Sequence, residues 1–247
     1  RKLKEITSSS DLIESWIEQL VTKFEDNAYM RQDLNTVIEE MVKLIEKQGK
    51  LEIHKRLITN HSPIAIKYLK SEGLINDNNG KVSFVHQSFF DYFLVEEMLK
   101  KVLKTEDIIE VIGNKEKQTP MKRYQIQMLL QIIQEADFDL FIKLGHQMLD
   151  SDKVRFFMKY LYLEVLSQSN DITKSLENLL NKYLKNERYK DDFLDTVFMN
   201  HPIFVSHLIS NGTIKLWLDG SIDDVKLAIS LLKSVNSTMQ DDIVKVV

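Results

Sequence analysis

The chain has 247 residues, 43% of them hydrophobic and 28% charged, with a formal net charge of −4. That is the balance of a globular protein, and it leaves no basic excess for a dedicated nucleic-acid binder. With 7 glycines, 3 prolines and no cysteine, the composition favours long helices joined by short links and excludes disulfides and thiolate chemistry.

No apolar run reaches the roughly 18 residues of a membrane-spanning helix, and Arg1-Lys2-Leu3-Lys4-Glu5 leads into no signal-peptide core. Together with the absence of thiols, this points to a cytoplasmic location. The start, which lacks an initiator methionine, reads as that of an excised fragment.

The first predicted helix follows the N-cap oxygens of Thr7-Ser8-Ser9-Ser10-Asp11, with Leu12, Trp16, Leu20 and Phe24 on one face. A second covers Arg31 to Gln48, with Leu34, Val37, Ile38, Met41, Leu44 and Ile45 inward and Gly49 as its left-handed cap. A short extended piece is expected over Leu51 to His54. Ser62-Pro63 then reads as an N-cap followed by proline at the first helical position. Ile64, Ala65, Tyr68 and Leu69 give that short helix its buried face, and Gly73 ends it.

Leu74-Ile75, the turn run Asn76-Asp77-Asn78-Asn79-Gly80 and the apolar stretch Val82 to Val85 predict a β-hairpin. Ser88 with Asp91 approximates a capping box for a helix reaching about Lys104. Helix, helix, hairpin, helix is a winged-helix pattern.

Beyond Thr105 the periodicity is helical throughout. Segments are predicted over Glu106–Ile112, Met121–Glu135, Phe138–Leu149, Lys153–Ser167, Ile172–Leu184 and Asp191–Met199. Pro202–Ser210, Ile214–Leu218, Ile222–Lys233 and Thr238–Val247 continue the series. Thr119-Pro120 and His201-Pro202 begin helices, Asn211-Gly212 ends one, and Ser221/Asp224 and Ser237/Gln240 form further capping boxes. Successive helices with short links stack as hairpins, and the lack of a strict period favours a HEAT-like array over a regular repeat. The fold class expected is therefore mainly α: a winged-helix domain with one β-hairpin, then a HEAT-like helical array.

The one candidate site residue is His86, at the end of the hairpin. Spacing alone favours a partly buried histidine sealing the join to the next helix. The segment Phe84-x-His86-x-Ser88-Phe89-x-Asp91-Tyr92-Phe93, however, resembles the end of the winged-helix domain in NACHT-type STAND ATPases, the class that includes NLR immune sensors and bacterial antiphage ATPases. The specific match covers about Leu74 to Leu99, with a looser one reaching back to Leu12-x-x-x-Trp16. Phe90 stands where many relatives carry a polar residue.

The resemblance implies that His86 reaches the β-phosphate of ADP held by an ATPase domain upstream of this chain. A charge-assisted bond of that kind is worth about 1.5–3 kcal/mol. It also implies a domain division: 1–28 a helical linker from the absent ATPase domain, 29–104 the winged helix, and 105–247 a sensing or scaffolding array truncated at its C-terminus. The nucleotide, ADP or ATP with magnesium, would belong to the parent protein. Partners would be the chain's own ATPase domain, a protein ligand on the array, and further copies on activation. Antiphage defence is the biological setting it suggests.

The aromatics Phe89, Phe90, Tyr92 and Phe93 are assigned to packing. The chain contains no Gly-x-x-x-x-Gly-Lys-Ser/Thr, no Gly-x-Ser-x-Gly and no His-Glu-x-x-His, so no enzyme activity and no metal site are expected of it. His54, His61, His146, His201 and His207 lack ligand spacing on one helix. The acidic pairs Asp191-Asp192, Asp223-Asp224 and Asp241-Asp242 sit where they complement helix dipoles. Two other readings stay open: a helical interaction scaffold with an inert winged helix, and a winged-helix DNA-binding regulator. The second is disfavoured because the expected recognition helix offers only Lys67 and Lys70, and phosphate neutralisation needs several basic groups.

Overall fold

The computed structural model describes residues 9–26, 31–58, 62–240 and 243. It is mainly α-helical, with a small three-stranded antiparallel sheet near the N-terminal helices. The chain divides into two compact units, Arg1–Lys100 and Lys101–Val247. Among the described residues no helix is long and apolar enough to cross a membrane.

The first unit begins with α1 (Ser9–Asp26) and α2 (Arg31–Gln48). Leu20 and Phe24 of α1 are buried as expected, but Leu12, at the outer end of the same stripe, is 55% exposed. In α2 the inward set holds, except that Val42 is buried and Leu44 only half-buried. Gly49 takes φ 63°, the left-handed conformation that closes a helix without a Cβ clash. The extended piece narrows to β1 (Ile53–His54), which leads into a single 3₁₀ turn at Lys55–Leu57.

Ser62 caps α3 (Pro63–Ser71), its Oγ accepting from the Ala65 N–H at 3.4 Å. Ile66 replaces Ile64 on the buried face; Ile64 is 47% exposed. The hairpin follows, β2 (Ile75–Asn78) and β3 (Lys81–Phe84), with Asn78 opposite Lys81. Its turn is therefore two residues, Asn79 (φ 51°) and Gly80 (φ 74°), the pair of positive angles that a type I′ turn requires. The expected five-residue turn run thus contributes most of itself to β2.

The expected hairpin is present, and a third strand joins it. β1 pairs with β3, Ile53 opposite Val82 and His54 opposite Lys81, giving the order β1-β3-β2. This helix–strand–helix–hairpin order, with the first strand added beside the last, is winged-helix-like. Two isolated strands are marginal in water. Ile53, Ile75 and Val82 are each 1% exposed, so the third strand completes a sheet with one buried face.

Helix α4 (Gln87–Thr105) runs across the boundary between the units. It starts before Ser88, so Ser88 lies in its first turn and the expected Ser88/Asp91 capping box does not form its cap. Asp91 is instead buried, 6% exposed.

In the second unit, the helix expected over Glu106–Ile112 shortens to α5 (Ile109–Ile112), with the Asp107 carboxylate accepting from the Ile109 N–H at 2.8 Å. Then come α6 (Pro120–Ala136), α7 (Phe138–Asp150), α8 (Phe156–Leu166) and α9 (Lys174–Leu184). Thr119 caps α6 as its Thr-Pro signature predicts.

Side-chain bonds fix how these helices run. Near the starts of α6 and α8, Gln118 accepts from the Arg155 N–H at 2.7 Å and donates to the Lys153 carbonyl at 2.8 Å. Near their ends, Gln134 donates to the Val165 carbonyl and the Ser169 hydroxyl, each at 3.0 Å. So α6 and α8 lie side by side and parallel. The same holds for α7 and α9, joined by Ser175–Asp139 (2.8 Å) at one end and Lys182–Asp150 (2.7 Å) at the other. Two rows of parallel helices, each hairpin contributing one helix to each row, are what stacked helical repeats require.

The expected helix Asp191–Met199 resolves into α10 (Lys190–Phe193) and a π-helical turn, Leu194–Phe198. There the Met199 N–H reaches the Leu194 carbonyl at 2.9 Å. Then α11 (Pro202–Ser210), α12 (Thr213–Leu218) and α13 (Ile222–Val235) follow. The Ser221/Asp224 capping box opens α13 with both of its bonds. Asp241, Asp242 and most of the expected last helix lie outside the described residues, as does His61.

Candidate functional site

His86 is placed by the junction of β3 and α4. The Val85 N–H bonds the Leu74 carbonyl at 3.0 Å, one residue past the strand, and the Phe89 N–H turns back to the His86 carbonyl at 3.2 Å. His86 therefore occupies the position just before α4. The N–H groups of a helix's first turn point outward there without intrahelical acceptors, and the dipole's positive end favours an anion.

The imidazole is exposed and makes no hydrogen bond among the described residues. It lies 6.0 Å from the Phe89 ring, and Phe89 stacks on Trp16 of α1 at 5.1 Å with the planes 26° apart. Thus His86 stands at the end of an aromatic row built from α1 and α4. The partly buried, join-sealing histidine favoured by spacing alone is corrected: Phe84, Phe90 and Leu94 seal the join, at 8%, 4% and 4% exposure. Phe84 meets Phe90 at 6.3 Å and Phe93 at 5.8 Å. The side chain that precedes a helix lies at the rim of the sheet, so the ring turns to solvent while Phe84, two residues earlier, turns in.

The wing carries little free positive charge. Lys55 bonds Asp77 at 2.7 Å, Lys70 donates to the Asp77 carbonyl at 3.1 Å, and Lys81 pairs with Glu52 at 3.5 Å. Two of these lysines, Lys55 and Lys81, are thus paired with carboxylates.

The other histidines are placed apart. His54 is exposed on β1. His146 Nδ1 lies 3.2 Å from the Tyr183 hydroxyl, which donates to Asp150 at 2.8 Å. Burial, then the Lys182 ammonium, hold His146 below its ordinary value. Burial likewise lowers His201, just before α11, and His207 Nε2 is buried without a hydrogen-bond partner among the described residues. No group of acidic and histidine side chains among the described residues could hold a metal ion.

Sequence reasoning missed two features of this surface. Trp16 was read as part of an apolar stripe and of the looser resemblance through Leu12-x-x-x-Trp16; its stacking on Phe89 depends on how α1 meets α4, which no local spacing encodes. The second is a polar groove on the second unit around the π-helical turn. The sequence offered no signal of it, because Asp191–Met199 reads as a single helix. No known protein family, curated protein or solved structure matches the chain.

Proposed function

We propose that this chain is the regulatory part of a NACHT-type STAND ATPase. In this reading the winged-helix unit holds the ADP-bound, closed state, and the helical array receives a ligand or partner. The observation that carries it is the exposed His86 imidazole, which makes no hydrogen bond among the described residues and lies 6.0 Å from the Phe89 ring, just before the first turn of α4. An exposed imidazole without a hydrogen bond among the described residues keeps its nitrogens available to a partner. A phosphate is the group that an imidazole beside a helix N-terminus suits best.

The mechanism is a differential-affinity switch. His86 joins the winged helix to the ATPase domain only while the diphosphate is in place. A ligand on the array then favours the open state by as much as it binds that state more tightly. Opening permits exchange for ATP with magnesium and assembly with further copies. The chain itself supplies no catalytic group in this scheme. The test is the release rate of a fluorescent ADP analogue from the longer protein that contains the ATPase domain. His86→Ala should release it at least about tenfold faster, as the loss of a charge-assisted bond requires. An unchanged release rate contradicts the proposal.

A further inference from the structure

The second unit carries a groove of about 620 Å³ along the row formed by α6, α8 and the π-helical turn. Within the π turn the Thr196 hydroxyl, in a residue 9% exposed, is buried and has no hydrogen-bond partner among the described residues. Two residues beyond the turn, Asn200 takes φ 64°, the left-handed region that asparagine enters more readily than most residues. π turns in otherwise α-helical segments recur at functional sites. Thr196 and Asn200 both belong to the wall of the groove.

The chemistry of the wall defines what it takes. Arg123 and Glu164 neutralise one another at 2.7 Å. Asp195, exposed on the groove, makes no ion pair among the described residues, so the uncompensated charge is negative. Burial, then the charges of Asp191 and Asp195, push the neighbouring Asp192 carboxyl up, as a locally negative potential requires. His201, on the same wall, is lowered by burial and so does not oppose a cation near neutral pH. The side-chain amides of Gln127 and Asn200 are unbonded among the described residues, and each offers both a donor and an acceptor. At one side stands Tyr160, 38% exposed, with Phe156, 61% exposed, 6.5 Å from it.

We infer that this groove binds an extended peptide segment of a partner protein that carries a lysine or arginine next to an apolar side chain. Asp195 takes the cation, the Gln127 and Asn200 amides pair with the peptide backbone, and Tyr160 with Phe156 receives the apolar group. Three neighbouring helices at about 9 Å spacing need a strand of roughly six to eight residues at about 3.3 Å each. Nucleic acid is disfavoured by the sign of the charge. This inference deepens the reading of the array as the sensing part and rests on it. No nucleotide enters its test, so it fails or succeeds separately from the His86 latch.

The experiment is an array of immobilised peptides of about eight residues in which basic, acidic and apolar positions are scanned. Hits are then titrated by fluorescence anisotropy against the whole chain. Peptides with a basic residue beside an apolar one should bind, more weakly as salt rises, and Asp195→Asn should weaken them at least about tenfold. Asp223→Asn, which removes an exposed carboxylate outside the groove, serves as control and should leave the affinity unchanged. Four outcomes overturn the inference: no peptide bound, acidic peptides preferred, equal affinity in Asp195→Asn, or a neutral oligosaccharide displacing the hits.

Discussion

Gly145 of α7 and Tyr162 of α8 meet with no room for a methyl group: a Cβ at 145 would stand 2.0 Å from the tyrosine Cζ. The ring is fully buried and has nowhere to retreat. Gly145→Ala should therefore cost about 3 kcal/mol, at the upper end for overpacking, read as a lower urea midpoint. Tyr162→Phe should act in the opposite direction. Its hydroxyl is buried and has no hydrogen-bond partner among the described residues, so removal should stabilise by about 1 kcal/mol; a destabilised Phe variant would mean that the hydroxyl is satisfied in solution.

The network of His146, Asp150, Lys182 and Tyr183 makes a pH prediction. Burial acts to raise the Asp150 carboxyl, but hydrogen bonds from Lys182 and Tyr183 and the Lys182 charge outweigh it and leave it lowered. A lowered carboxyl contributes stability above its unfolded value, lost as pH falls through the folded one. A lowered histidine likewise leaves the unfolded state binding more protons. Stability should then fall as pH drops through the ordinary histidine range near 6.5. The urea midpoint should be lower at pH 5.5 than at 7.5, and His146→Gln should reduce that difference. An identical pH dependence in the variant would contradict the assignment.

At the scale of elements, the hairpin turn offers a sharp test. Gly80 sits at φ 74°, where an L side chain costs about 1 kcal/mol or more, so Gly80→Ala should destabilise by that amount in urea unfolding. Lys159 offers another. It is 3% exposed, with its ammonium on the Leu149 carbonyl at 2.6 Å and the Tyr189 hydroxyl at 2.8 Å, at the C-terminal end of α7. There the helix dipole favours a cation. The Tyr189 hydroxyl also donates to the Leu149 carbonyl, so Lys159→Met leaves both oxygens paired and should change stability by under about 1 kcal/mol. Lys159→Ala leaves a void and should cost about 2 kcal/mol or more.

What was legible in the sequence divides along the same line. Caps and turns such as Ser62-Pro63, Thr119-Pro120, Asn79-Gly80 and Ser221/Asp224 depend on residues a few positions apart, and each was readable. β1 was seen as extended but not as a sheet strand, because its two residues are held by Val82 and Lys81 far along the chain. The π turn was read as ordinary helix, since periodicity cannot register one inserted residue. The exposure of Leu12 and Ile64, apolar residues on otherwise inward stripes, depends on where neighbouring elements end.

For the whole molecule, the site was legible only through the pattern around His86. Its exposure, and the row it forms with Phe89 and Trp16, required the packing of α1 on α4. The parallel rows of the second unit likewise came from glutamine bonds spanning more than thirty residues, which no local pattern announces. In the proposed switch, His86 of the first unit would meet phosphate and the groove of the second would receive a ligand.

The most direct test of that switch is calorimetric titration of ADP into the longer protein containing the ATPase domain, with and without His86→Ala. The account predicts an affinity about 10- to 100-fold weaker in the variant, the loss of one charge-assisted bond, with the enthalpy of binding reduced. Equal affinities would contradict it and make His86 a surface histidine of the winged helix.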